Sequence, residues 1–281
     1  MQQRFITENL IKNFREYLYS EEKSKNTEQK YIRDVRAFVA FADDKNVCKE
    51  IVMKYKEHLM EKNYAVRSIN SMLASLNSLF SFLGWEDCKV KAIRLQRRVY
   101  CHKEEELTKM EYIRLCKTAE KKHNERLNLI LQTICGTGIR VSELQFITVE
   151  AVKCGQVSVS CKGKIRVVFI VKKLQKKLLQ YALRKQITSG CIFVTRTGKK
   201  VSRTNIWKEM KNLCVEAEVN PDKVFPHNLR HLFARTFYKI EKDLAKLADI
   251  LGHSSMNTTR IYIISTGMEH QRQLENMRLI I

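Results

Sequence analysis

The sequence predicts a mainly α-helical chain that carries one small β-sheet. Three observations predict it. Only 2 Pro and 9 Gly punctuate the 281 residues, too few for a turn-rich sandwich or barrel. Apolar residues recur at intervals of three and four through roughly the first 90 residues, the period of an amphipathic helix. Farther on, an alternating run with Val157 and Val159 on one face and an apolar, β-branched run flank the tripeptide Lys162-Gly163-Lys164, the pattern of a hairpin. With 44% hydrophobic residues, the chain can bury a core without disulfides or metal.

The elements follow in order. Residues 8–20 place Leu10, Ile11, Phe14, Tyr17 and Leu18 on one face, and residues 27–42 do the same with Tyr31, Val35, Phe38 and Val39. Residues 48–62 use Ile51, Val52, Tyr55 and Leu59; residues 68–83 use Ile69, Met72, Leu73, Leu76, Leu79, Phe80 and Leu83, with Gly84 as the stop. Four such helices make a bundle whose aromatic residues belong to its core. Residues 89–103 break the pattern, with Lys89, Lys91, Arg94, Arg97, Arg98 and Lys103 and no acid. The division expected is a helical domain over 1–92, a basic linker over 93–105 and a second domain over 106–281.

The second domain opens at Thr108, whose spacing from Glu111 is that of a capping box. A helix is expected over 124–135, ending at Gly136. Strands are expected over Gln156–Cys161, Ile165–Val171 and Cys191–Thr195, and a helix over 173–186. Further helices start near Ser202, His227, Asp243 and Thr258.

The charge excludes some classes and favours one. Lys and Arg total 52 against 30 Asp and Glu, a net charge of +22, and a polyanion such as nucleic acid is the natural partner. No apolar run reaches the roughly 20 residues that span a bilayer, and the start of the chain has no signal-peptide core. Nine Cys without a C-x-x-C spacing read as reduced residues of a cytoplasmic protein, not a disulfide frame or zinc site.

Four islands in the second domain carry the chemistry. Gly136-Thr137-Gly138-Ile139-Arg140-Val141-Ser142-Glu143-Leu144 lacks the Lys-Ser/Thr of a phosphate-binding loop; taken alone, Arg140 is a surface arginine paired with Glu143. Lys162 and Lys164 stand at the hairpin tip. In Pro226-His227-Asn228-Leu229-Arg230-His231, the two histidines have zinc-ligand spacing, but Asn228 occupies the position of a zinc peptidase's glutamate. His227 and Arg230 lie three apart, one helix face offering an imidazole and a guanidinium fork to an anion. The fourth island runs from Gly252-His253 through Thr258-Thr259 to Tyr262, with a cap expected at Thr258 or Thr259. Together these supply cationic donors and an oxygen nucleophile, the set that attack on a phosphodiester needs.

In order and spacing, G-T-G-I-R-V-S-E-L, H-N-L-R-H and L-G-H-S-S-M-N-T-T-R-I-Y resemble the tyrosine recombinase (phage integrase) family, in the short two-domain layout of its Xer-type members. The resemblance covers the whole chain. It implies an N-terminal SAM-like, core-binding domain, a mixed α/β catalytic domain, and no extra domain for arm-type DNA sites. It implies that Arg140 and Arg230 grip a scissile phosphate and that Glu143 supports them. By the same likeness His227 assists proton movement, His253 hydrogen-bonds the phosphate, and Lys162 is the general acid toward a 5′-hydroxyl. The hairpin, C-K-G-K-I-R, is shorter than the family's form, so Lys164 stands as a substitute. Tyr262 would form a 3′-phosphotyrosine, with no metal, ATP or cofactor.

The implied partner is double-stranded DNA, held in a C-shaped clamp with phosphate contacts from Lys89, Lys91, Arg94, Arg97 and Arg98. A homotetramer on two sites would exchange its C-terminal tails, and an accessory protein or a second recombinase is left open. A catalytically silent DNA-binding regulator and a type IB topoisomerase are the alternatives. The expected location is the cytoplasm, at the nucleoid.

Overall fold

The computed structural model describes residues 3–43, 46–94, 106–161, 164–253, 255–260 and 275–277, with only the backbone of Cys161 and Lys164. It divides into two compact units, Met1–Arg97 and Arg98–Ile281. Among the described residues, no helix is long and apolar enough to cross a membrane.

The first unit is a bundle of α1 (Glu8–Ser20), α2 (Lys25–Ala42), α3 (Lys49–Glu61) and α4 (Val66–Leu83). Thr7 and Ser24 begin the first two helices by accepting from the backbone N–H groups of Leu10 and Thr27. Phe14, Leu18, Val35, Phe38, Val52, Leu76, Leu79 and Phe80 are fully buried, at the three- and four-residue spacings of the sequence pattern. Phe38 meets Tyr55 and Phe80 edge-on at 5.2 and 6.2 Å, so these rings are core.

The basic segment expected to act as a linker starts as part of this bundle. Asn77 pairs through both amide atoms with the backbone of Val90, at 2.9 and 3.2 Å. Two turns earlier on α4, Asn70 does the same with Ile93, at 2.9 and 2.8 Å. Residues 90–93 are thereby strapped along α4. Lys89 ion-pairs with Glu86, which lies just before the basic segment. Lys91 and Arg94 are exposed, whereas Arg97 and Arg98 lie outside the described residues.

In the second unit, α5 (Lys109–Lys121) begins at Thr108 with the expected capping box. α6 (Glu125–Thr137) is the central helix, with Leu127, Leu129, Ile130, Leu131 and Ile134 buried around its circumference. It runs past Gly136, where it was expected to end, and stops at Gly138, which has a φ of +66°. A Cβ at Gly138 would stand 2.5 Å from the Phe233 ring, so both backbone and packing require glycine here. A 3₁₀ turn over Val141–Phe146 and α7 (Val149–Cys154) follow, two short elements that periodicity did not reveal.

Strands β1 (Gln156–Cys161) and β2 (Lys164–Phe169) form the antiparallel sheet. Their register pairs Cys161 with Lys164 and Val159 with Arg166. Lys164 therefore belongs to β2 rather than to the turn. Val157, Val159 and Val168 face the core, while Ile165, Val167 and Phe169 face outward. The strand expected over Cys191–Thr195 is instead two isolated bridges, Thr148 with Cys191 and Val194 with Lys200. The chain doubles back here, the Thr195 N–H donating to the Lys199 carbonyl at 2.7 Å and the Val201 N–H to that of Phe193 at 3.2 Å, so Cys191 and Val194 pair with different segments. Among the described residues there follow α8 (Lys172–Arg184), α9 (Arg203–Leu213), α10 (Pro226–Glu241), α11 (Leu244–Leu251) and α12 (Met256–Arg260).

Candidate active site

The site is organised by the C-terminal end of α11. The last carbonyls of a helix lack intrahelical donors and carry partial negative charge, so they attract cations. Here three successive carbonyls each accept from a different arginine. The Ile250 carbonyl accepts from Arg166 Nη1 at 2.6 Å, Leu251 from Arg230 Nη2 at 2.6 Å, and Gly252 from Arg140 Nη2 at 3.4 Å. Arg230 also donates from Nη1 to the Gly138 carbonyl at the end of α6, at 2.5 Å. It is 1% exposed, the largest fully buried side chain of the protein's described residues. A guanidinium can be buried so deeply because two helix ends supply its acceptors.

His253 is placed by the same terminus. Gly252 takes the left-handed conformation, at a φ of +64°. The N–H of Gly252 then reaches the Asp249 carbonyl and that of His253 the Ala248 carbonyl, which is a Schellman closure. His253 Nε2 lies 3.0 Å from Arg230 Nη2, and Nδ1 lies 2.8 Å from Thr259 Oγ1. An arginine only donates, so Nε2 accepts and the proton sits on Nδ1, toward Thr259. Thr259 is fully buried inside α12 and holds the ring; it is not the helix cap expected there.

Glu143 ties the arginines together. Its carboxylate accepts from the Arg140 backbone N–H at 2.8 Å, from Arg140 Nη1 at 2.9 Å and from Arg166 Nη2 at 2.6 Å. Burial alone would push this carboxyl up, but these hydrogen bonds and the Arg166 charge hold it below its ordinary value. The pairing of Arg140 with Glu143 expected from sequence is present, as part of a larger cluster. Three guanidinium groups against one carboxylate leave a net charge of +2. Arg140 keeps 33% of its side chain exposed, against 11% for Arg166, so an arriving anion meets Arg140 first.

His227 stands in the first turn of α10, after Pro226, with its ring 4.8 Å from that of His231. Burial first, and then the charges of Arg230, Arg140 and Arg203, hold its pKa below the usual histidine value. For His253, burial and the same arginine cluster bring it down to about 4; for His231, burial and His227 bring it down to about 3. Tyr262 and Lys162 lie outside the described residues, as does the tail expected to be exchanged between subunits, apart from residues 275–277. Arg166 was not singled out from sequence, and Thr259 only as a helix cap. Among the described residues, no three His, Cys, Asp or Glu side chains gather as a metal site.

These histidine shifts carry a pH signature. A histidine depressed when folded is neutral there, while the unfolded chain takes up its proton near pH 6.5. Its stabilisation is complete above that value and is lost as pH falls toward about 4 for His253 and about 3 for His231. Glu143, also depressed, loses its contribution in the same direction, below the ordinary carboxyl range. The melting temperature of the protein should thus decline as pH is lowered from 6.5 toward 4, and His253→Gln should flatten that decline. A melting temperature independent of pH across this window would contradict the assignment.

Comparison with known proteins shows the class to which this mostly helical enzyme belongs, the site-specific DNA recombinases. Residues 105–268 match the phage integrase family, and residues 11–87 match the phage integrase N-terminal SAM-like domain. The chain belongs to the phage integrase family. It is 30% identical to the tyrosine recombinase XerA of Thermococcus kodakarensis over 280 residues, 97% of this chain and 96% of that one. It is 28% identical to the tyrosine recombinase XerD of Staphylococcus epidermidis, over 85% of this chain and 88% of that one. Among solved structures, a lambda integrase dimer bound to a COC′ core site superposes with a TM-score of 0.73 at 16% identity, over 92% of this chain and 95% of that one. A XerH site-specific recombinase bound to difH in a post-cleavage complex gives 0.65 at 22% identity, over 83% and 70%. At such identities these two likenesses speak for the fold.

Proposed function

We propose that this enzyme cuts and rejoins DNA strands through a covalent 3′-phosphotyrosine at Tyr262. One observation carries the proposal: Arg140, Arg230 and His253, from three separate motifs, converge on a single helix end. A pentacoordinate phosphorus gathers negative charge on its non-bridging oxygens. Donors already fixed by helix carbonyls and Glu143 need no rearrangement to meet that charge. Arg140, the more exposed guanidinium, binds the phosphate, and Arg230 stabilises it from beneath, oriented by His253 Nε2. The arginines of this set are cationic, and they take the part that a metal ion plays in other phosphoryl transfers.

A tyrosine hydroxyl, with its ordinary pKa near 10, is a weak nucleophile at neutral pH. His227, kept neutral by burial and by its cationic neighbours, accepts or relays the phenolic proton. Lys162, or Lys164 in its place, protonates the departing 5′-hydroxyl. The new ester conserves the phosphodiester's energy, so religation by another strand's 5′-hydroxyl needs no ATP. Exchange between two duplexes calls for four protomers, with the tail of each docked on a neighbour. The partner is duplex DNA, which the +22 charge favours, and Lys89, Lys91, Arg94, Arg97 and Arg98 supply phosphate contacts.

The test is a duplex nicked close to the cleavage position, incubated with the protein and a chelator. A covalent adduct should accumulate, and Tyr262→Phe should abolish it. Binding without an adduct would instead indicate a DNA-binding regulator. Relaxation of supercoils without exchange between sites would indicate a topoisomerase. Salt provides a second check. With about six or more phosphate contacts, affinity should fall by roughly 10³-fold between about 50 and 200 mM salt. A flat response would remove the backbone contacts from the account.

A further inference from the structure

We propose that Arg166 is a positioning residue for this reaction, one that locks the root of the β-hairpin to the groups that grip the phosphate. The inference rests on the recombinase function proposed above. Arg166 lies on the inner face of β2, opposite Val159 in the register and two residues from Lys164. Its side chain is 11% exposed, and its two terminal nitrogens point to different structures. Nη2 donates to Glu143 Oε2 at 2.6 Å, and Nη1 to the Ile250 carbonyl at 2.6 Å. Through Glu143 it holds Arg140, and through α11 it holds the turn that carries His253.

Neither acceptor is a surface group that happens to be near. Glu143 is 3% exposed and already committed to Arg140 through both oxygens. The path of the Arg166 side chain is also built for. A Cβ on Gly252 would come within 2.5 Å of Arg166 Cδ and 2.9 Å of Nε, so this glycine gives passage to the arginine as well as adopting a left-handed turn. A lysine has one ammonium group and cannot span two acceptors in fixed, divergent directions; the planar guanidinium can. The hairpin that carries Lys162 and Lys164 is therefore fixed, at Arg166, to the same helix end as Arg230 and His253. A small displacement of either partner misaligns an in-line attack, for which about 1 Å costs on the order of 10²-fold in rate.

The experiment compares Arg166→Met and Arg166→Lys with the full-length wild type in single-turnover cleavage of the nicked duplex. Melting temperatures identify the folded variants. Cleavage should slow by about 10- to 100-fold in both, while the DNA dissociation constant changes less than about threefold, since Arg166 acts through other residues. A folded Arg166→Met cleaving at the wild-type rate, or full recovery in Arg166→Lys, would overturn the proposal. Gly252→Ala supplies a test that survives poor folding of either variant. Alanine there should cost less rate in an Arg166→Ala background than in wild type, because the clash has been removed; additive losses would count against the contact. A readout without DNA separates this proposal from the recombinase function. The His253 ring, titrated by NMR, should move to higher pKa in Arg166→Met, because a neighbouring cation that opposes its protonation is gone. Wild-type protein that forms no adduct would sink the recombinase function, whereas an unmoved His253 titration would sink the positioning role.

Discussion

Arg230→Ala should be the most damaging single substitution in the catalytic unit. It removes the donor from two helix-end carbonyls, Gly138 and Leu251, and leaves a cavity where a side chain was 99% buried. An unsatisfied buried carbonyl costs about 1–3 kcal/mol and a core truncation adds a cavity term, so a loss of roughly 3–5 kcal/mol is expected. Calorimetric or chemical unfolding would measure it. Arg230→Lys separates chemistry from folding. It keeps one positive charge in the site but satisfies only part of the fork. The variant should fold, with cleavage of the nicked duplex reduced about 10²- to 10³-fold, the usual effect of losing one preorganised donor to a developing oxyanion. Wild-type cleavage by Arg230→Lys would mean that the buried guanidinium is structural only.

Glu143→Ala should produce the second large effect, of an unusual kind. The carboxylate is buried and shared by Arg140 and Arg166, so its removal leaves two guanidiniums side by side without compensation. Breaking a buried ion pair from one side costs about 3–5 kcal/mol. In a unit of this size that lowers the melting temperature by roughly 6–20 °C. The net charge of the site rises by one at the same time. DNA binding at low salt should consequently hold or tighten while cleavage falls. Parallel loss of binding and cleavage would show that Glu143 does not work through the arginines. Glu143→Gln keeps the shape and should cost less stability than the alanine.

Much of this architecture was legible in the sequence, and the failures have physical reasons. The four N-terminal helices declare themselves because each buries one stripe, so Phe14 and Leu18, or Leu76 and Phe80, recur at helical spacing. The end of α6 was misplaced because Gly136 reads as a stop, whereas the left-handed residue is Gly138, against which Phe233 of α10 packs too closely for any side chain. α7 and the 3₁₀ turn at Val141 are six residues each, too short for a period to show. Arg140, Glu143, His227, Arg230 and His253 were visible as motif residues; Arg140 pairs with Glu143 and Arg230 with His253, and His227 feels the charges of Arg230 and Arg140. Arg166 was hidden because Ile165, Val167, Val168 and Phe169 around it make the strand look purely apolar. The alternation is the reverse of the usual one at this point: the apolar Ile165 and Val167 face out and the arginine faces in.

The three acceptors at the end of α11 are peptide oxygens, and this alters how the enzyme can be broken. No codon change deletes a main-chain carbonyl. Ile250 and Leu251 can exchange side chains of similar bulk without removing the oxygens that orient Arg166 and Arg230. A systematic alanine survey would pass over these anchors and credit the whole site to its arginines. Lesions that rewind the helix terminus, such as a proline or a one-residue insertion between Ala248 and His253, would unseat all three cations at one stroke.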